Sequence, residues 1–582
     1  MSDINNTIDP ITLTTTWHYF KRVCQEMRYT AERTATNVLV TTLHDLSYGI
    51  WDKHGRVIAI PEGFAPRLLA ASTTISRVLE KFGDNIKEGD QFLTNLPSDG
   101  AVHLPDWTFV KPVFFNGNLE FFVCMGTHVA DNGGAQPGSH FLAFDPIAEG
   151  LNIPLTKIAE NNTLREDILN LLLANNRVPV LMQREIASLM GSNTVGERLL
   201  HKLLERYGVE STYACIEEMF ARTEKAVRSR ITEWPNGIYD GVSVTDDDGK
   251  TMGKTVQVKV QLTIKGDEAT FDFSGSDDQV DGYINSFLHQ THSCTLCTSF
   301  LFLGTDLASY HNEGSLKPIK VVSRPRTLVS CDKKALTAAA PAVGGTMAVE
   351  AVMDAMSKAL PDRAITPYGR VIAPILVGLP KDDQEMYVMT SFCPAAGAGA
   401  VSGNDGYQCA AETSVLGVVG KSDVEEEMAR YPVRITRYEF RQDSHGAGQW
   451  RGAPGIVWEA INEGGMVITY GGAFNGFVTQ ANGAQGGGST PLNTARYTHA
   501  GRTIEITEPH HPWHLFNGDH LICESGGGAG VGLPFERDPQ AVFTDFENGL
   551  VSAAMAREAY GVVIDAAHAQ VDTDATQKLR SN

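Results

Sequence analysis

No run of about 18 apolar residues occurs in this chain of 582 residues, so no membrane-spanning helix is predicted. Positive charge is also scarce. Lys and Arg number 48 against 69 Asp and Glu, for a formal net charge of −21. Nucleic acid and anionic membranes both attract a basic surface, so neither is an expected partner. Cysteine is sparse, with nine residues spread thinly. That odd count suits free thiols in a reducing compartment better than a disulfide framework. The opening residues, MSDINNTIDP, hold no apolar signal-peptide core, so the expected location is the cytoplasm. A G-x-x-x-x-G-K-S/T phosphate loop is missing. The run GGGAGVG (526–532) is a poor substitute. LPFERDP follows it, and those prolines do not suit the helix that a pyrophosphate loop must open.

What is present reads as a folded soluble protein, 42% apolar and 20% charged, long enough for two to four domains. Thr14 to Thr16 offer a cap for a first helix, in which Trp17, Phe20, Val23, Cys24 and Met27 recur at helical spacing. A strand, a Lys53-His54-Gly55 turn and a second strand follow, and Asp45 stands where that hairpin begins. Residues 65–87 read as helix and QFLTN as strand. Residues 160–232 are helical by their Leu, Ile and Met spacing, until Pro235-Asn236-Gly237 breaks the pattern. Strands and glycine turns dominate from 431 onward. The expected fold class is α+β: a mixed multi-domain chain, with a helical segment after an N-terminal hairpin region and a β-rich C-terminal part. The expected divisions are 1–234 (a metal-site domain with following helices), 235–430 (a mixed α/β middle domain) and 431–582 (a β-rich domain).

Residues 95–138 hold the chemistry. His103-Leu-Pro-Asp106 precedes WTFVKPVFF, and His128-Val-Ala-Asp131 follows NLEFFVCMG. Asn116-Gly117 between the two runs is the strongest short hairpin signal. A hairpin brings its two ends side by side whatever the register, so two imidazoles and up to two carboxylates meet there. Such a set leaves a coordination position open, the pattern of a catalytic rather than a structural metal site. In HLPD both side chains reach one ion only if the loop curls. The competing reading makes these four residues ordinary loop polar groups that hydrogen-bond the hairpin.

Three other clusters are weaker. Cys294 and Cys297 form a lone Cys-x-x-Cys in a segment that reads as buried helix or strand. His510, His511 and His514 have only Glu508 as an acidic neighbour. DDDGK (246–250) lacks the rest of a calcium loop and reads as a solvated hairpin tip.

HLPD, VKPVF and H-x-A-D-x-G-G-x-x-P-G-S together resemble the B-type subunit of the hydantoinase B/oxoprolinase family. Asp9-Pro10, E-G-L-x-I-P (149–154), Arg198 with LLERYG (203–208), P-x-G-x-Y (235–239), DFSGS (272–276) and ERDP (536–539) fall in family order. The chain departs from the family at Asn95-Leu-Pro-Ser98 and at Thr127-His128, beside the metal set, which leaves the substrate open. The resemblance implies a divalent metal, zinc first and manganese second, on Asp45, His103, Asp106 and His128, which would act in catalysis through that metal. Asp131 would orient an imidazole from outside the ligand set. It further implies a hydantoinase A-type partner that binds ATP and Mg²⁺, in an (αβ)2 heterotetramer. The expected activity is ATP-dependent hydrolysis of a cyclic amide: a lactam, hydantoin or oxoproline-like ring. The alternative is a subunit of an ATP-dependent ketone carboxylase of the acetone or acetophenone type.

Overall fold

Asp9 and Pro10 start the first helix, Pro10–Thr34. The Asp9 side chain accepts from the Thr12 amide and Pro10 takes the first turn, where a missing N–H costs nothing. The cap therefore lies upstream of Thr14–Thr16, where it was expected. Phe20, Val23, Cys24 and Met27 form the buried stripe. The structure is a computed structural model. It describes residues 8–60, 67, 69–138, 141–308, 310–378, 386–395, 397–408, 413–416, 419–508, 511–565 and 567–581.

Strands β1 (Leu46–Asp52), β2 (Val57–Ala59), β3 (Gln91–Thr94), β4 (Asp106–Phe115), β5 (Asn118–His128), β6 (Thr156–Glu160) and β7 (Thr163–Leu164) form one sheet. Its order is β2-β1-β5-β4-β3-β6-β7, and every neighbouring pair is antiparallel. Asn116 and Gly117 both have positive φ, +51° and +78°. That is the two-residue turn whose twist matches the flanking strands. Alternation along β4 and β5 sends Phe109, Val113, Phe121, Val123 and Met125 into one core, shared with helices Pro10–Thr34, Pro179–Tyr207 and Val209–Ile231. Val110, Phe122 and Cys124 enter a second core on the other face. Because both faces are buried, these strands read as near-continuous apolar runs, and a one-residue slip would exchange the two cores. Gly196 lets the Pro179–Tyr207 helix lie close to its neighbours. A Cβ there would come within 2.6 Å of the Met27 sulfur and 3.2 Å of Val123.

The second core continues into β8 (Gly237–Asp247), β9 (Met252–Lys265), β10 (Glu268–Asp272) and β11 (Ile319–Val322), in the order β11-β10-β9-β8, and into helices Leu288–Leu303 and Thr346–Ala359. DDDGK is not a solvated tip. Asp246, Asp247 and Asp248 are buried, and the Asp246 carboxylate accepts from the amides of Phe477, Val478 and Thr479. A segment 230 residues away packs over the hairpin end, which sequence spacing does not reveal.

Beyond residue 371 the chain forms two larger sheets, besides a two-stranded one that pairs Ile564–Asp565 with Gln570–Val571. One joins β12 (Ile372–Gly378), β13 (Tyr387–Thr390), β16 (Val467–Phe474) and β19 (Trp513–Leu515). The other joins β14 (Val433–Phe440), β15 (Ile456–Asn462), β17 (Thr494–His499), β18 (Arg502–Glu505) and β20 (His520–Glu524). They enclose a third core around Ile372, Met389, Trp458, Val467 and Leu521. The chain is thus an α+β fold of several sheets. The glycine run 526–532 serves backbone packing: a Cβ on Gly528 would lie 2.0 Å from the Ala398 carbonyl oxygen. The short turn Pro534–Glu536 follows the run directly, and helix Pro539–Glu547 opens only after it, capped by Asp538. The polar C-terminal residues form helix Thr573–Arg580, whose Arg580 donates to the carbonyls of Arg537 and Tyr560.

Candidate metal centre

Register places the site. Asp106, the first residue of β4, pairs with His128, the last of β5. On the far side of β5, Leu46 of β1 pairs with Thr127, so Asp45 stands one step beyond, at the same end of the sheet. The HLPD loop does curl. The Asp106 amide donates to the His103 carbonyl at 2.9 Å, closing a turn through Leu104 and Pro105 that carries the His103 ring back over Asp106. Asn95 clamps this loop. Its buried side chain donates to the Leu104 and Leu151 carbonyls and to Asn132 Oδ1, and accepts from the Ile153 amide.

His103 Nε2 lies 3.0 Å from His128 Nδ1 and 3.3 Å from Asp106 Oδ1. His128 Nδ1 is 4.0 Å from the same carboxylate oxygen. His103, Asp106 and His128 each offer one donor atom within 4.8 Å of the others, and no other such cluster occurs among the described residues. His103 Nδ1 lies 2.8 Å from the Ala338 carbonyl oxygen. A carbonyl only accepts, so the ring proton sits on Nδ1 and the Nε2 lone pair faces the cluster. The Ala338 peptide is itself held: Glu149 Oε1 accepts from the amides of Thr337 and Ala338 at 2.8 and 2.5 Å.

Charge suits a cation. Burial alone would raise the Asp106 carboxyl, but the Arg67 guanidinium, the fixed cation beside it, holds the group well below the usual carboxylate range. Burial pushes the His128 imidazole down to about 3, so the ring is neutral near pH 7 with a lone pair to give. Both Asp106 carboxylate oxygens are buried and lack a hydrogen-bond partner among the described residues. Arg67 Nε meets its charge only from 3.7 Å, and a buried, ionised carboxylate with no donor on its oxygens is costly unless a further ligand meets it. The donor set therefore fits a divalent metal, with mixed N and O ligands that suit zinc or manganese.

The structure places the remaining candidates elsewhere. The Asp45 carboxylate contacts the Arg67 guanidinium, and Asp45 lies outside the three-residue cluster. Arg67 Nε is also 3.7 Å from Asp106 Oδ2, so one buried cation serves both carboxylates. Asp131 is buried, but it does not orient an imidazole. Its oxygens accept from the Gly133, Gly138 and Arg177 amides and from the Arg177 guanidinium. The orienting group is the Ala338 carbonyl, backed by Glu149. Glu149 lies in the E-G-L-x-I-P motif, a signal of place but not of role. Arg67 has only its charge within FAPRLLAA to mark it.

The weaker clusters do not gain. Cys294 and Cys297 lie on helix Leu288–Leu303, and burial pushes the Cys297 thiol up to about 12, an inert thiol. His510 falls outside the described residues. His511 is exposed beside Glu508 at 3.7 Å, and His514 is an exposed residue of β19. No described helix is long and apolar enough to cross a membrane.

A seven-stranded sheet with a His/Asp cluster at the end of its central hairpin, joined to a two-sheet C-terminal region, defines a protein class. The chain belongs to the hydantoinase B/oxoprolinase family, whose model matches residues 9–534. It is 31% identical to caprolactamase subunit beta of Pseudomonas jessenii, over 99% of this chain and 100% of the relative. The crystal structure of ATP-dependent caprolactamase from that organism superposes with a TM-score of 0.91 at 30% identity, covering 99% of this chain and 100% of that one. A nucleotide-free acetone carboxylase structure also superposes at 0.91, covering 99% of this chain and 84% of that one. At 18% identity it shares the fold alone.

Proposed function

We propose that this chain is the metal-binding β subunit of an ATP-dependent hydrolase that opens a cyclic amide: a lactam, hydantoin or oxoproline-like ring. ATP and Mg²⁺ would bind a hydantoinase A-type partner, in an (αβ)2 heterotetramer. The observation that carries this reading is the end-to-end similarity to caprolactamase subunit beta in sequence, matched by the superposition on a caprolactamase. The name of that relative implies a partner subunit. Opening an unstrained lactam is unfavourable, which gives ATP coupling a purpose.

His103, Asp106 and His128 would hold the metal, and Asp45 would join them only by exchanging its Arg67 contact for the ion. A divalent ion, zinc or manganese, supplies Lewis acidity toward an amide or phosphoryl oxygen. This chain's own groups prepare the place. The Ala338 carbonyl keeps the His103 proton on Nδ1 and its lone pair inward. Arg67 keeps Asp106 ionised. The 103–106 turn and the β4–β5 register hold the two rings and the carboxylate on one point.

The test is co-expression with the A-type partner, followed by metal analysis and an ATP-dependent screen over lactams, hydantoins and ketones. A ring-opened amino acid is the expected product. A new carbon–carbon bond would assign the chain to the ketone carboxylases instead, and full turnover without bound metal would remove the site from the mechanism.

A further inference from the structure

One guanidinium serves two carboxylates at the open end of the first sheet. Arg67 Nη2 contacts Asp45 Oδ1, and Arg67 Nε lies 3.7 Å from Asp106 Oδ2. All three residues are buried, and a buried charge is held only where an opposite one meets it. The two oxygens of Asp106 face different neighbours. Oδ2 is the one near Arg67, while Oδ1 lies 3.3 Å from His103 Nε2 and 4.0 Å from His128 Nδ1. Asp106 thus joins the imidazole pair to the Arg67–Asp45 pair. The Asp45 backbone is fixed on both sides. Its amide donates to the Leu39 carbonyl at 2.8 Å, and its carbonyl accepts from the Thr127 hydroxyl at 2.8 Å. The Asp45 carboxylate therefore has only its own side-chain torsions with which to change partner.

We propose that Arg67 is the cation with which a divalent metal competes. In the metal-free chain the guanidinium holds Asp45 and Asp106 together, and on loading Asp45 gives up Arg67 and turns to the ion. This inference rests on the metal-site reading above and adds the residue that sets the affinity of that site. A guanidinium and a divalent cation are drawn to the same two carboxylates. They also repel each other, in a buried place where solvent screens little. A planar guanidinium presents several N–H groups in a fixed fork and can hold two carboxylates at once, which a compact ammonium does less well. Without the metal this arrangement spares two buried like charges their mutual repulsion. With the metal it lowers affinity, since the ion gains only the difference between its own bonds and the broken Asp45–Arg67 contact. Arg67 is thus a positioning residue: it acts on the ion through the two carboxylates.

The test uses the complex of this chain with its partner, in a zinc-loaded and a chelator-stripped form. Crystal structures of the two wild-type forms read the exchange directly. The stripped form should keep the Asp45–Arg67 contact. The loaded form should place an Asp45 oxygen about 2.0–2.2 Å from zinc, with Arg67 out of contact with that carboxylate. In solution, competition with a calibrated chelator should give R67M at least about tenfold tighter zinc binding than the wild type, because its carboxylates lack their cation until the ion arrives. The rise in unfolding temperature on adding zinc should be larger for R67M for the same reason. Comparison of D45N/R67M with D45N should show little of that gain, since the carboxylate that changes partner is gone. Where stripped R67M does not fold, the two wild-type crystals decide. R67M binding zinc no tighter than the wild type, or an undiminished gain in the D45N background, would overturn the exchange. Zinc on His103, Asp106 and His128 with Asp45 still on Arg67 would overturn it too, while keeping the metal centre. Zinc bound elsewhere would remove the metal centre and the exchange together.

Discussion

Asp106 and His128 face each other across the open end of one hairpin, the first residue of β4 paired with the last of β5. The ten residues of β4 and the eleven of β5 run between them and the Asn116–Gly117 turn. The site is therefore positioned by a register, and a register is a rigid device.

Removing one imidazole should remove the metal. For H103A and H128A the expected outcome is at least a tenfold loss of metal content after dialysis, with an unfolding temperature near that of the metal-free wild type. ATP-dependent turnover of the complex should fall with it. Metal content measured by elemental analysis is the check, and a variant that retains wild-type metal would show that its ring is not a ligand.

Glu149 acts on His103 through one peptide. E149A should free the amides of Thr337 and Ala338, let the Ala338 carbonyl swing, and lower metal affinity about ten- to a hundredfold, the usual effect of losing an outer-shell partner. E149Q keeps an oxygen that accepts both amides, so its affinity should lie within a few-fold of wild type. Competition with a calibrated chelator separates the three proteins. Equal affinity in E149A would mean that the His103 orientation does not depend on this peptide.

The hairpin turn can be strained without touching the ligands. Gly117 has φ +78°, a region where an L side chain costs about 1 kcal/mol. G117A should therefore lower the unfolding temperature by a few degrees, with metal content unchanged. A large loss of metal would show that the β4–β5 register slips when the turn is altered.

Stability should decline on both sides of neutral pH. Burial pushes Glu185 up to about 8 from an ordinary 4.5. Between these values the folded chain holds a proton that the unfolded chain has released, so this group makes stability fall as pH rises through the window. E185Q should flatten that slope and be more stable than wild type at pH 8. Burial pushes His311 and His445 down to about 3, and His289 and His292 to about 4, from 6.5. Below pH 6.5 the unfolded chain binds more protons than the folded one, so these groups make stability fall as pH drops toward 3. Denaturant titrations at pH 4.5, 6.5 and 8 read both slopes. An E185Q curve parallel to wild type between pH 6.5 and 8 would refute the Glu185 part.

Several elements are legible in the sequence because they rest on local rules. Asn116-Gly117 fixes a turn by its tolerance of positive φ, and the β-forming runs on either side then pair in one direction only. That placed His103 and Asp106 beside His128. The helices at 179–231 followed from Leu and Met spacing, since one helical turn repeats the same face. The Asp9 cap was missed because Thr14–Thr16 offered equally good local chemistry, and only the backbone decides where a helix opens. DDDGK was misread because a buried Asp and a solvated one have the same sequence. Asp246 is buried by the amides of 477–479, more than 230 residues on.

The amino-acid sequence by itself determined the hairpin, the pair of ligand clusters at its ends and, through motifs in family order, the family. These depend on neighbours a few residues apart and on shared ancestry. Only the tertiary structure decided that Asp45 turns to Arg67, that Asp131 is bound to Arg177, and that Glu149 and Ala338 hold His103. Each of these contacts closes a loop of tens to hundreds of residues. Its existence depends on how sheets and helices stack, and no local spacing encodes that.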